Sequence, residues 1–287
     1  MTQVKTSSVK TSGVKTFSFE FFPPQTTEGV SKLADTRRKL AVLKPEFFSV
    51  TFGAGGSTRE RTLEAVQHIQ ADGLPAAPHL SCVGSTRENI REIVQTYKKM
   101  GIKRMVALRG DLPSGMATTG EFQHANELVA FIRAETGTHF HLEVAAYPEV
   151  HPQAKSPRED LLNFKRKMDA GANSAITQYF YNADAYFRFV DDSRKLGIVA
   201  PIVPGIMPIV KFAQLARFSD TCGAEIPRWM RKTLESYGDD SASIQSYGLD
   251  VVTQLCNRLL AGGAPGLHFY TLNQAAPTLA IWQRLGI

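Results

Sequence analysis

The stretch Phe17-Ser18-Phe19-Glu20-Phe21-Phe22-Pro23-Pro24 sets one carboxylate among four phenylalanines and then stops at two prolines. It reads as a β-strand, in which successive side chains point to opposite faces. Phe17, Phe19 and Phe21 share one face; Ser18, Glu20 and Phe22 share the other. Proline cannot donate to a β-ladder, so Pro23 and Pro24 end the strand. An apolar face opposite a mixed face suits a barrel stave, with the first under the helices and the second toward the interior. Glu20 then lies near the C-terminal mouth, where barrel enzymes place their chemistry. A carboxyl walled by aromatics is expected to have a raised pKa and to donate a proton near neutral pH. The alternative is a structural Glu paired with a barrel Arg or Lys.

Short β-branched or aromatic runs recur near residues 46–51, 76–82, 104–109, 140–147, 174–180, 201–206 and 266–271. Helical patterns lie near 29–42, 59–72, 86–100, 121–135, 158–170, 183–196, 210–219, 227–236, 241–261 and 275–285. Strands alternating with helices argue for parallel βα units. Eight strands in 287 residues favour a closed (β/α)8 barrel, a TIM barrel, over an open sheet. No linker-like composition divides the chain. The expected organisation is a short disordered basic tail over 1–15, carrying the repeat VKTSS-VKTSG-VKTF, and one catalytic barrel over 16–287. The stretch 219–262 reads as an elaborated βα unit.

Composition narrows the function classes. Hydrophobic residues make up 43% and charged residues 21%, ordinary for a globular protein with a substantial core. No apolar run approaches the roughly 20 residues of a membrane span, and the polar N-terminus has no secretory h-region. A cytoplasmic protein is expected. Cys82, Cys222 and Cys256 are widely spaced, so neither a disulfide framework nor a metal site is expected. The net charge of +6 suggests anionic partners. Without a Lys/Arg block interleaved with aromatics, nucleic acid is not expected among them.

Other strand ends carry chemically capable groups. Thr51 opens a loop with glycines at 53, 55 and 56, which lets backbone approach a ligand or simply makes a turn. His79 lies on a strand, as a core histidine or a site residue. Arg109-Gly110-Asp111 puts a guanidinium and a carboxylate at one mouth position, free for a ligand or paired with each other. Tyr147 and His151 follow the fifth strand, and Gln178 ends the sixth. In the helix DLLNFKRKMDAG, Leu161, Leu162 and Met168 are expected to face the barrel. Asp160, Asn163 and Lys167 share a stripe with Arg166 beside it, either a solvated face or one wall of an anion-holding groove.

Eight blocks, FSFEFFPP, SVTFGAGGST, PHLSCVG, ALRGDLP, AAYPEVHP, DLLNFKRKMDAGANSAITQYF, VPGIMPI and LHFYTLN, occur in the order found in the 5,10-methylenetetrahydrofolate reductases. The chain from Phe17 to Ile287 resembles that family's bacterial catalytic form, and the eukaryotic regulatory region is not expected. The resemblance implies a flavoprotein with bound FAD. It implies reduction of methylenetetrahydrofolate to 5-methyltetrahydrofolate with NADH or NADPH in a ping-pong scheme, feeding methionine synthesis, in a homo-oligomer (dimer or tetramer).

The resemblance also implies roles. Glu20 is the general acid that assists opening of the folate's five-membered ring. Asp111 lies by the flavin ring and contacts the pterin. Thr51, Phe52, Ala54, His79, Arg109, Gly110, Ala125, Tyr147, His151 and Ala154 resemble flavin contacts, with Asp160, Asn163, Arg166 and Lys167 toward the ribose and diphosphate. Gln178 resembles a hydrogen-bond partner of either substrate, Gln214 a folate contact, and Phe218 the aromatic that stacks on nicotinamide or aminobenzoate. Gln274 stands where the family often carries Arg; it keeps hydrogen bonding and loses the charge. A different barrel flavoenzyme, such as a proline dehydrogenase-like oxidoreductase, and a non-catalytic pterin-binding protein are the alternatives.

Overall fold

The structure, a computed structural model, describes residues 14–53, 58–111 and 120–287. Most of the tail over 1–15 therefore lies outside the described residues; Lys15, at its end, donates from Nζ to the Ala264 carbonyl.

The strands are β1 (Thr16–Phe21), β2 (Phe47–Val50), β3 (Ala76–Ser81), β4 (Arg104–Leu108), β5 (His141–Ala146), β6 (Ser174–Thr177), β7 (Ile202–Val203), β8 (Gly205–Ile206) and β9 (Gly266–Tyr270). The helices are α1 (Thr27–Ala41), α2 (Arg59–Ala71), α3 (Arg87–Lys99), α4 (Ala125–Thr136), α5 (Pro157–Asp169), α6 (Ala183–Lys195), α7 (Phe212–Cys222), α8 (Arg228–Ser236), α9 (Ser241–Ala261) and α10 (Ala275–Leu285). The strands are parallel, in the order β7-β6-β5-β4-β3-β2-β1-β9-β8. β7 and β8 are the two halves of the seventh stave, so the ring closes into the TIM barrel.

The break in that stave has a local cause. Pro204 separates the halves and has no amide to donate. Its carbonyl accepts from His268 N at 3.0 Å. β7 pairs with β6, while β8 pairs with β9. Gly205 N turns to Thr177 Oγ1 at 2.9 Å instead. A Cβ on Gly205 would come within 2.2 Å of the Thr177 carbonyl and 2.6 Å of the Tyr270 ring, so only glycine fits.

The alternation read in the first strand holds. Phe19 and Phe21 are buried under the helices with Phe48, Phe269 and Trp282, while Ser18 and Glu20 face inward. Inside the barrel a small apolar layer of Phe47, Ala77, Val106 and Ile176 separates the mouth from the base. Helices begin on side-chain caps at Thr26, Thr86, Ser156 and Asn182, each satisfying an amide of the first turn.

Two helical expectations need correction. α4 starts at Ala125 rather than 121, because Glu121 is used elsewhere: its amide donates to the Ser85 carbonyl and its carboxylate accepts from Arg87 N, at the start of α3. On α5 the buried residue is Phe164, packed on Phe189 of α6, with Leu161 and Met168 partly buried beside the core. Phe164 follows Leu161 by three positions and precedes Met168 by four, which rotates the buried stripe away from Leu162.

Candidate active site

The C-terminal ends of the staves and one face of α7 enclose a cavity of about 710 Å³. That volume is within the usual range for small-molecule sites. Most of its surface is apolar, supplied by side chains such as Phe52, Ile176, Met207 and Tyr270. Glu20, Thr51, His79, Asp111 and Gln178 are among the polar groups turned into it.

Glu20 is not walled by aromatics alone. Its Oε2 lies 3.3 Å from His268 Nε2 and 3.2 Å from His79 Nε2. The contact to His79 is at ion-pair range but too bent for a well-formed hydrogen bond. His268 is fully buried, and its Nδ1 meets Ser18 Oγ at 2.7 Å. The Glu20 carbonyl accepts from Thr271 Oγ1 at 2.7 Å, which fixes the backbone beneath the carboxyl.

This overturns the expected upward pKa shift. Burial does push the carboxyl up, but the charge on His79 and the hydrogen bond from His268 outweigh it, lowering it from 4.5 to about 2. The partners that lower it are imidazoles rather than a permanent cation such as a guanidinium. Glu20 Oε2 thus lies within 3.3 Å of both imidazoles. Among the described residues this carboxyl has no Arg or Lys partner, so the alternative of such a pair is not what the structure has.

His268 and Ser18 were not among the residues singled out from the sequence. Parity along LHFYTLN places His268 on the same face as Tyr270. Only the β1–β9 pairing, which sets Ser18 opposite His268 and Glu20 opposite Tyr270, brings them to the carboxyl.

The other candidates divide into groups. Thr51, Phe52, His79, Gly110, Asp111, Tyr147, Gln178 and Phe218 line the cavity. Gly110 has φ +84°, and a Cβ there would press within 2.9 Å of Ser81 and Val83. Arg109 and Asp111 do not pair with each other among the described residues: Arg109 donates to Gln153 Oε1 at 2.6 Å and to the Gly110 carbonyl at 3.1 Å.

Arg109, His151, Asp160 and Lys167 gather beside Tyr147. The Tyr147 ring meets His151 edge-on at 4.5 Å, and Asp160 Oδ2 accepts from His151 N at 2.8 Å. Burial, with the charges of Asp111 and Asp160, pushes the Tyr147 hydroxyl up to about 12. Burial pulls Lys167 down to about 8 against the pull of Asp160, and Lys167 Nζ donates to the Ala145 carbonyl.

Ala125 is the first residue of α4, and Ala154 closes a turn onto the His151 carbonyl. Arg166 is exposed and engaged with Glu159 and Asn163. Gln214 and Gln274 do not line the cavity; Gln274 is exposed at the start of α10. Ala54 lies outside the described residues.

A family model described as "Methylenetetrahydrofolate reductase" matches residues 5–286. The chain belongs to the methylenetetrahydrofolate reductase family. It is 43% identical to the 5,10-methylenetetrahydrofolate reductase of Salmonella typhimurium over 271 residues, 94% of this chain and 90% of that protein. It is 42% identical to the Escherichia coli enzyme over the same shares. It is also 38% identical to methylenetetrahydrofolate reductase (NADH) 1 of Arabidopsis thaliana, matching 99% of this chain and 50% of that longer protein. Among solved structures, a Clostridium thermocellum protein described as binding two copies of 5-methyl-5,6,7,8-tetrahydrofolic acid superposes with a TM-score of 0.69. That match is at 16% identity and covers 95% of this chain and 96% of that one, a likeness of fold. Reduction of methylenetetrahydrofolate is the activity for which this reductase family is named.

Proposed function

We propose that this chain uses NADH or NADPH and bound FAD to reduce 5,10-methylenetetrahydrofolate to 5-methyltetrahydrofolate in a ping-pong sequence, with Glu20 as the proton donor. The observation that carries the reading is the Glu20 carboxyl lining the cavity with His79 and His268 at 3.2 and 3.3 Å from its Oε2. The names of the plant relatives favour NADH.

The residues present fit FAD. The apolar cavity flanked by Gly110 and Asp111 has room for a flat ring system, and Arg109 and Lys167 beside Tyr147 are cations suited to a diphosphate. Exposed Arg166 adds a third cation on the same helix as Lys167. When bound, FAD supplies the hydride-accepting and hydride-donating chemistry between the two substrates.

The chain's own groups do the rest. Phe218 presents an aromatic face to the cavity for an aromatic substrate. Gln178 offers a side-chain amide for hydrogen bonding, with Oε1 already accepting from Tyr179 N at 3.0 Å. Asp111 holds negative charge at the cavity wall, which favours a cationic folate intermediate. A substrate filling the cavity excludes water and disfavours the separated carboxylate–imidazolium pair. The proton then returns to Glu20 Oε2, from which it passes to the folate nitrogen as the five-membered ring opens. His268, held by Ser18, steadies the carboxyl and resupplies the proton.

Anaerobic half-reactions test this. The purified protein is expected to be yellow, to bleach with NADH or NADPH, and to regain colour with methylenetetrahydrofolate. A colourless protein that binds folate without turnover favours the pterin-binding alternative. A yellow protein that ignores folate favours a different flavoenzyme. The family reading also implies a cytoplasmic homo-oligomer, dimer or tetramer, which sedimentation tests.

A further inference from the structure

A folate is graded along its length: a pterin, then an aminobenzoyl ring, then a glutamate with two carboxylates. The cavity is graded in the same order. Its lining runs from Glu20 and His79, both largely covered, through apolar side chains to α7, whose Arg217 is exposed.

Arg217, Phe218, Thr221 and Cys222 of α7 line the cavity. Phe218 is half-buried, while Arg217 is exposed. The Arg217 guanidinium lies 5.7 Å from the Phe218 ring centroid, and among the described residues it has no carboxylate partner. Other candidate cations are already engaged: Arg109 with Gln153, Arg166 with Glu159, and Lys167 with the Ala145 carbonyl. Arg217 is the one Lys or Arg among the described residues lining this cavity, whose carboxylates are Glu20 and Asp111. The stretches 54–57 and 112–119 contain no Lys or Arg either. Gln214, three positions before Arg217, shares its helical stripe one turn nearer the start of α7.

An anionic group leaving the cavity past Phe218 therefore meets one unpaired guanidinium. We propose that Arg217 anchors the glutamate carboxylates of the folate substrate, the charge that Gln274 does not supply. The inference rests on the folate reading above. Arg217 acts on binding and leaves the proton-transfer groups untouched. A guanidinium suits the task because its planar fork takes a carboxylate through two parallel hydrogen bonds.

The experiment compares wild type, Arg217→Gln and Arg217→Lys on two ligands. One is 5-methyltetrahydrofolate, titrated by calorimetry. The other is its dimethyl ester, in which both glutamate carboxylates are capped. Arg217→Gln is expected to weaken binding of the free acid about 5–10-fold, as loss of a charge-assisted contact does, and to leave the ester unchanged. Arg217→Lys is expected to recover part of the loss. Added NaCl is expected to weaken wild-type binding of the acid more than that of Arg217→Gln. The melting temperature is expected to stay constant, because Arg217 is exposed.

Equal weakening of acid and ester overturns the proposal, as does no weakening of either. A raised KM for the nicotinamide nucleotide with unchanged folate binding also overturns it, assigning the cation to the nucleotide's phosphates. Binding is read without turnover. A wild type that binds the acid through Arg217 yet reduces no methylenetetrahydrofolate would refute the proposed function and leave the anchor standing.

Discussion

The two ends of the barrel each hold a buried glutamate beside imidazole, and they use it differently. At the base, Glu143 takes a hydrogen bond from Ser174 Oγ at 2.6 Å and lies 3.3 Å from His141 Nε2. It also pairs with Arg104, which reaches Glu46 as well and lies over the Phe47 ring at 4.6 Å. At the mouth, Glu20 has His79 and His268 but, among the described residues, no guanidinium. In both cases burial pushes the carboxyl up and the partners more than offset it. A guanidinium is a permanent cation, and Arg104 helps hold the Glu143 carboxyl below its ordinary value. The partners of Glu20 are imidazoles, which are not permanent cations. A permanent cation suits a fixed carboxylate; imidazole partners suit the acid role proposed for Glu20.

The sharpest test of that contrast is Glu20→Gln. Folate reduction is expected to fall by about 10²–10⁴-fold, the usual range for a lost general acid, while flavin reduction by the nucleotide persists. Stopped-flow absorbance reads both half-reactions, and survival of both would break the contrast at the mouth.

At the base, Arg104→Met leaves Glu143 buried without its cation. It is expected to cost about 3 kcal/mol in urea unfolding, with kcat retained in the folded fraction. Adding Glu143→Gln removes the stranded charge and should restore part of that loss. A large drop in kcat without destabilisation would show that the base is not merely structural.

A finer test replaces His268 with Asn. The hydrogen bond that helps hold Glu20 ionised is lost, so the acid's apparent pKa in the folate half-reaction should rise, by about 1 unit. The pH–rate profile reads that shift, whereas simple loss of packing would scale the whole profile.

The smallest effect concerns a third carboxyl, Glu149, next to the site. Burial raises it from 4.5 to about 7, and its Oε2 accepts from Glu225 N at 2.7 Å while Oε1 has no partner. Because its folded value is raised, it favours the fold at low pH and loses that contribution as pH rises from 4.5 through about 7. Glu149→Gln keeps an acceptor for the amide and cannot ionise. It should be the more stable form at pH 8 by roughly 1 kcal/mol after screening, or about 2–4 °C in Tm, and no more stable at pH 4.

Much of the fold was legible in the sequence because the strands are short apolar runs alternating with helical stretches. Glu20 was legible from alternation alone, since parity and Pro23 put it inward near the stave's end. Its partners were not. His268 lies 248 positions away, and nothing in FSFEFFPP says that the last strand closes against the first. The expected upward pKa shift failed for the same reason, because burial can be read locally and a counter-charge across the barrel cannot. The broken seventh stave escaped too: the run 201–206 looks continuous, although Pro204 within it was the available signal.

That proline leaves the seventh stave without one rung of its ladder, and Thr177 Oγ1 and the Tyr270 hydroxyl, which donates to the Thr177 carbonyl at 2.7 Å, stitch across the gap. The weakest seam of the cylinder thus runs beside the ligand chamber. In deuterium exchange the amides of Gly205 and Ile206 should take up label sooner than that of Leu80 on the opposite wall, and ligand occupancy should slow the seam most.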